Sequence, residues 1–317
     1  MIHKNIIQKM KIKASKKKQS KESLKSNSSS KNITKFIKPI NYSKIIIQFL
    51  KLIIAFHMLI NIISKENQIR QLESHYSYII LNINQKGNRT FLNSNFKKCP
   101  DEVYVNGNKT SGTICRSIVL NATSNTIKLV WQNEINNTEK MFYGLNNIKE
   151  IDLSHFDSSL VTNMNYMFSY CYDLTSIDFT NINTSLVTSM EYMFQRCLSL
   201  ASINFNNFKT SNVISMKGMF DSCKVLKNLD LSSFDTSSVN NMESMFHNCS
   251  SLTSLNISNF NTSSVTNMKS MFYLGKFNNL NLSNFNTSNV KDMSSMFSNC
   301  KNFKSLLWLV CSIIVHL

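Results

Sequence analysis

The dipeptide Met-Phe recurs seven times in phase, beginning at Met141, Met167, Met193, Met219, Met245, Met271 and Met296. Five successive intervals are 26 residues and the last is 25. A fixed period of this length marks a repeat architecture, in which no unit buries its apolar face alone and stacked neighbours share one core. One unit, Leu226 to Cys249, reads LKNLDLSSFDTSSVNNMESMFHNC. Leu229 and Leu231 stand two apart and share one face of a short strand, with Asn228, Asp230 and Ser232 on the other. Val239, Met242, Met245, Phe246 and Cys249 then follow at spacings of three and four, the apolar stripe of a helix or helical turn. Between the halves, Thr236, Ser237 and Ser238 supply hydroxyls suited to capping a helix start. The expected fold is therefore an α/β repeat solenoid of 26-residue strand–turn–short-helix units over residues 141–311.

Stacking turns equivalent positions into ladders. One ladder runs Phe156, Ile182, Phe208, Phe234, Phe260, Phe285, and another runs Met164, Met190, Met216, Met242, Met268, Met293. At this spacing both read as core rather than as a methionine-lined groove. A third ladder is Cys171, Cys197, Cys223 and Cys249, then Gly275, then Cys300. Neighbours one repeat apart are near enough for a disulfide, but small buried thiols are the favoured reading. No histidine ladder accompanies them, so zinc is not expected.

The flanks differ from the repeats. The net charge of +17 is concentrated at the front, where residues 1–51 hold 14 Lys and the single acid Glu22. Residues 1–44 read as a basic disordered tail, with too little apolar surface to offset ordering entropy. Residues 45–63, IIIQFLKLIIAFHMLINII, predict an apolar transmembrane or signal-anchor helix. The positive-inside rule would put the N-terminus in the cytosol and the repeats outside or in a lumen. Residues 76–140 read as a β-rich lead-in and cap, with strand-like runs at Tyr78–Ile83, Val103–Val105, Ile114–Leu120 and Ile127–Trp131. Cys99 and Cys115 lie there and would pair in an oxidising compartment. At the far end Phe303, Leu306, Trp308 and Cys311 fall on the strand register, and residues 312–317 form an apolar C-terminal end. Residues 141–317 carry equal numbers of acidic and basic side chains, so the repeats offer no electrostatic footprint for nucleic acid.

The run LDLSSFDTSSVNNMESMFHNCSSLTSLNISNFNTSSVTNMKSMF, residues 229–272, resembles the BspA-type leucine-rich repeats of surface proteins, also called the DUF285 or Mycoplasma-lipoprotein-associated repeats. These occur in bacteria and many protists, and the likeness is protist-like. It covers about residues 127–311, with Gly275 for Cys, Ile182 for Phe and a one-residue deletion before Leu280 as departures. VYVNG at Val103–Gly107 and NTIKLVW at Asn125–Trp131 resemble what precedes such repeats in ciliate-type surface proteins. The resemblance implies a leucine-rich-repeat-like fold and a surface or secreted protein that binds other proteins, adhesion included, with no catalytic residues.

The residues themselves agree that chemistry is absent. There is no P-loop, GxGxxG, HExxH or GxSxG, and the six histidines have no partner acid or nucleophile at useful spacing. His247 beside Cys249 is read as incidental, and no enzyme, cofactor or metal site is expected. The expected protein-binding surface is the outward strand face: Glu150, Asp152, Ser154, Asp178, Asn228, Asp230, Ser232, Asn256 and Asn281. Its partners would be protein ligands, glycoproteins or matrix. The alternative is an intracellular repeat scaffold that its basic tail docks on anionic membrane or nucleic acid.

Overall fold

The computed structural model describes residues 42–73, 77–277 and 280–300. The chain divides into two units, Met1–Gln68 and Ile69–Leu317. The basic tail up to residue 41, the expected seventh strand from Phe303 to Cys311 and the apolar end lie outside the described residues.

Helix α1 spans Tyr42–Glu73, longer than the expected 45–63. Its described side chains from Lys51 to Lys65 are exposed. Among the described residues no helix is long and apolar enough to cross a membrane, so the membrane-spanning reading of residues 45–63 is not supported.

The second unit is built from strands and turns. Its strands are β1 (Ser77–Ile83), β2 (Gly87–Thr90), β3 (Glu102–Val105), β4 (Asn108–Lys109), β5 (Ser117–Leu120), β6 (Asn125–Trp131), β7 (Ile148–Asp152), β8 (Ser176–Asp178), β9 (Asn228–Asp230) and β10 (Ser254–Asn256). Three sheets result: β4-β3-β6-β1-β7-β8, β10-β9 and β2-β5. β1 lies antiparallel between β6 and β7, while β8 lies parallel to β7. The lead-in and the first two repeats thus share one sheet. This covers the edge that β7 would otherwise expose.

The expected α/β solenoid of strand–short-helix units is not found. Beyond Glu73 the second unit holds no helix among its described residues, and its strand ladder is not continuous. Each stretch expected to be helical is a run of turns instead. Tyr166 and Tyr170 have φ of 57° and 62°, and Tyr192 and Arg196 have 54° and 56°. A left-handed residue every fourth position cannot belong to a right-handed helix. The backbone N–H groups point sideways rather than along a helix. Phe168 N donates to Met193 O, Phe194 N to Met219 O and Phe220 N to Met245 O, each into the next repeat. Within a repeat, turns close three residues back, as Met245 N does onto Met242 O. Single-residue parallel bridges continue from Asn137 through Asn163, Ser189, Ser215, Asn241 and Asn267 to Asp292. Apolar spacings of three and four fit stacked turns as well as a helix, so the pattern alone did not separate them.

The strand half is also reduced. β7 pairs with β8 and β9 with β10, but Ser202–Asn204 of the repeat between forms no strand. That gap falls where the inner residue is Phe179 or Phe205 instead of Leu153 or Leu231. The two rings lie 6.4 Å apart, wider than the usual strand spacing of about 4.8 Å.

The core positions fall where the ladders put them. Phe156, Ile182, Phe208, Phe234 and Phe260 are buried, as are Met164, Met190, Met216, Met242 and Met268, while Phe285 and Met293 are partly buried. Phe142, Phe168, Phe194, Phe220, Phe246, Phe272 and Phe297 form a stacked column, with Phe220 and Phe246 5.7 Å apart at 2° between ring planes. Buried Thr184, Thr210, Thr236 and Thr262 donate their hydroxyls to a backbone carbonyl of the following repeat. The hydroxyl residues thus bridge repeats instead of capping helices.

The irregular repeat keeps its volume by exchange. A Cβ at Gly275 would come within 2.2 Å of the Phe277 ring, which is fully buried where sister repeats carry Leu226 or Leu252. Gly275→Cys is expected to destabilise by about 1–3 kcal/mol through overpacking. Phe277→Leu in the same chain should restore most of the loss, and a urea-unfolding double-mutant cycle measures the coupling. Additive effects would show that the exchange is not compensatory.

Candidate functional site

The outward strand face contains two polar columns. Glu150, Ser176, Ser202, Asn228 and Ser254 are exposed along the first. Asp152, Asp178, Asn204, Asp230, Asn256 and Asn281 form the second, exposed except for half-buried Asp152. The second column does local work. Asp152 accepts the Ser154 N–H, Asp178 that of Thr180, Asp230 that of Ser232, Asn256 that of Ser258 and Asn281 that of Ser283. These are Asx turns, in which a side chain mimics the backbone turn and removes the need for Gly or Pro. Asn256 also donates to Asp230 across the repeats. In the first column, Glu150 accepts from Asn82 of β1 at 2.7 Å.

The same device starts two further corners. Asp157, Asn183, Asp235, Asn261 and Asn286 accept the N–H two residues on, and so do Asn137, Asn163, Asn241, Asn267 and Asp292. Bonds from the Ser232 N–H and hydroxyl hold the Asp230 carboxyl below its ordinary range, and bonds from the Ser237 hydroxyl and N–H do so for Asp235.

The cysteine ladder consists of free thiols. Cys171, Cys197, Cys223 and Cys249 are wholly buried, and each donates its S–H to a phenylalanine carbonyl of the preceding repeat, from Phe142 to Phe220. Burial pushes the Cys171 thiol up to about 12 and raises the other three as well. A thiol so displaced holds almost no thiolate at neutral pH and is not a nucleophile. These four cysteines are expected to resist a thiol reagent in the folded protein and to react within seconds once it is unfolded. Fast labelling of Cys223 without unfolding would contradict the burial. Cys99 and Cys115 form a disulfide in the lead-in.

His247 does not engage Cys249. Its Nδ1 lies 2.8 Å from Asp221 Oδ1, and its ring stacks on Tyr273 at 5.0 Å. Asp221 also accepts from Gln195 at 2.9 Å and from the Ser222 hydroxyl at 2.8 Å. Burial raises the carboxyl's pKa, but the bonds from His247, Gln195 and Ser222 outweigh it and leave the group below its ordinary range. A depressed carboxyl contributes stability that is complete above the unfolded value, about 3.9 for Asp, and is lost as pH falls through the folded value. Asp221→Asn should therefore flatten the acid limb of a stability-versus-pH curve, measured by urea unfolding from pH 7 downward. An unchanged acid limb would remove Asp221 from the account.

A feature without any sequence expectation lies on the turn face of the first repeats. Tyr166 and Tyr192 stack at 5.0 Å, Tyr143 meets Tyr166 at 6.4 Å and Tyr170 at 5.5 Å, and Tyr170 meets Tyr172 at 5.9 Å. The Arg196 guanidinium lies 5.2 Å over the Tyr170 ring. The available signal was positional: Tyr166 and Tyr192 occupy the slot that holds Gly218, Ser244 and Ser270 elsewhere. Nothing in the polar–apolar pattern picks them out. Among the described residues no group of three or more His, Cys, Asp or Glu is arranged to hold a metal ion.

These features define a class: a repeat protein of stacked turns and short strands around Met and Phe columns, capped at one end by a β-rich lead-in. The model of the family described as "Mycoplasma protein of unknown function, DUF285" matches residues 115–229 and 199–308. Together the matches span more than half of the sequence, and the chain belongs to this family. The match extends neither to the BspA-type leucine-rich-repeat designation nor to a protist source. No curated protein and no solved structure shows significant similarity to the chain.

Proposed function

We propose that this protein is a non-catalytic, exported repeat protein that binds protein ligands through the polar strand face. The observation that carries the reading is the exposed column Ser176, Asn228 and Ser254, set beside the Asx-turn column that fixes the backbone presenting it. A rigid array of neutral polar groups at a constant period suits contact with a repetitive or extended protein partner, and costs little ordering entropy on binding. The Cys99–Cys115 disulfide supports an exported route, since such bonds persist in oxidising compartments. The family itself has no assigned function and adds only consistency with a surface repeat protein.

The test has two arms. Protease added to intact cells should cleave the repeats, whereas protection until the membrane is opened would make the protein intracellular. Asn228→Arg and Ser254→Arg should abolish binding to partner cells without shifting the melting temperature. Retained binding would remove this face from the proposal.

A further inference from the structure

The tyrosine cluster on the turn face costs more than the fold requires. The backbone positions of Tyr166, Tyr170, Tyr192 and Arg196 all have positive φ, between 54° and 62°. A bulky residue there carries strain of about 1–3 kcal/mol. Of the equivalent positions in sister repeats, Lys140 and Leu274 also carry large side chains, but Gly218, Ser222, Ser244, Asn248 and Ser270 do not, and these residues form the same turns. The stack of turns therefore forms without the large side chains. Tyr192 is seated over Gly218, where any Cβ would come within 2.2 Å of its ring. The aromatic cluster ends there.

Next to the rings is a small recess of about 130 Å³, lined by Tyr172, Arg196, Leu198, Ser222, Lys224 and Asn248. Its two charged lining residues are both cations, and neither forms an ion pair among the described residues. The volume suits a single carboxylate or sulfate group. The backbone of this face is already committed: Tyr166 N donates to Glu191 O, Tyr170 N to Gln195 O, Tyr192 N to Lys217 O and Arg196 N to Asp221 O. A peptide read by strand addition needs free backbone N–H groups and finds none at these four positions. What the face offers is half-buried ring faces, phenolic hydroxyls and a cationic recess; Glu139 and Glu191 lie near the Tyr166 ring, and Lys140 and Lys217 are paired with Glu139 and Glu243. Sugar rings present flat C–H faces that pack on aromatic rings, and an acidic sugar adds the anion.

We propose that Tyr143, Tyr166, Tyr170, Tyr192 and the recess at Arg196 and Lys224 form a binding site for an acidic glycan. The rings would take successive sugar faces and the recess one acidic substituent. This surface uses a different column of the repeat from the strand face and stands independently of it.

The basic residues 1–51 attract any polyanion, so the test reads the tyrosines directly. Iodination of the full-length protein is followed by mass spectrometry, with Tyr104 as internal reference. Oligogalacturonate should slow iodination of Tyr166 and Tyr192 at least fivefold. Its neutral methyl ester should protect far less, and poly-glutamate should not protect. Arg196→Ser and Tyr192→Ser introduce residues that sister repeats already carry at these positions. Each should weaken oligogalacturonate binding at the tyrosines at least tenfold without lowering the melting temperature. Absence of protection, equal protection by poly-glutamate or by the methyl ester, or undiminished binding by both variants would each overturn the assignment.

Discussion

Phe220→Ala is expected to lower the stability of the repeat region by about 3–5 kcal/mol, the largest effect of any single substitution considered. Phe220 is fully buried at the middle of the phenylalanine column. Its ring lies 5.7 Å from Phe194 on one side and 5.7 Å from Phe246 on the other, and Phe205 meets its edge at 5.7 Å. Truncation removes these contacts and leaves a cavity whose cost depends on how far the surroundings collapse. Collapse is hindered here. The backbone on each side is pinned by Phe194 N to Met219 O and Phe220 N to Met245 O, so neighbouring repeats cannot close on the gap without breaking lateral bonds. The loss should fall at the upper end of the range. In a repeat array stability is carried by nearest-neighbour interfaces, so a weakened middle should also split one unfolding transition into two. Urea unfolding followed by circular dichroism measures both. Phe297→Ala, at a partly buried position, should cost clearly less. A loss below about 1 kcal/mol at Phe220 would mean that the column is not the main source of cohesion.

Removing the lead-in disulfide should cost about 3 kcal/mol, from the chain entropy of a loop of roughly 15 residues. Cys99 and Cys115 stand 16 residues apart, and the intervening chain includes β3 and β4. β3 pairs with β6, β6 with β1, and β1 with β7 of the first repeat. Loosening this loop therefore reaches the repeats through the shared sheet. The Cys99→Ser, Cys115→Ser double variant should melt in its lead-in strands first, with the later repeats less affected. Reducing the unaltered protein should reproduce that result. Hydrogen exchange resolved by segment measures the order of loss. Coincident melting of oxidised and reduced protein would show that the bond does not stabilise the fold.

Much of this fold was legible because a repeat writes its core many times over. The Phe and Met ladders were placed by register alone and are buried as placed except for the partly buried Phe285 and Met293, and the Cys99–Cys115 pair was anticipated from its module. The secondary structure was not legible to the same degree. Val239, Met242, Met245, Phe246 and Cys249 satisfy a helical stripe, but the N–H groups of Met242, Ser244, Phe246 and Asn248 bond to the next repeat, and Ser244 and Asn248 have positive φ. The Asp and Asn column was read as a binding face on the strength of its outward position. Its side-chain oxygens are engaged in turns two residues long, a role that polar–apolar alternation does not reveal. The tyrosine cluster escaped notice because its members are spread over three repeats and are gathered by stacking.

The sequence by itself determined the period, the residues that fill the interior and the turn chemistry of Ser, Thr, Asn and Asp. Those properties are local to one repeat, or repeat identically, and so survive without knowledge of the neighbours. The tertiary structure decided whether each unit's backbone bonds along itself or across to the next repeat. Sideways bonding won, because alternate N–H groups, such as those of Met242, Ser244, Phe246 and Asn248, find their acceptors in the adjacent repeat, and the expected helices became stacked turns. It also decided which surface residues meet: Tyr166 with Tyr192, and Asp221 with His247, each pair brought together across one repeat spacing.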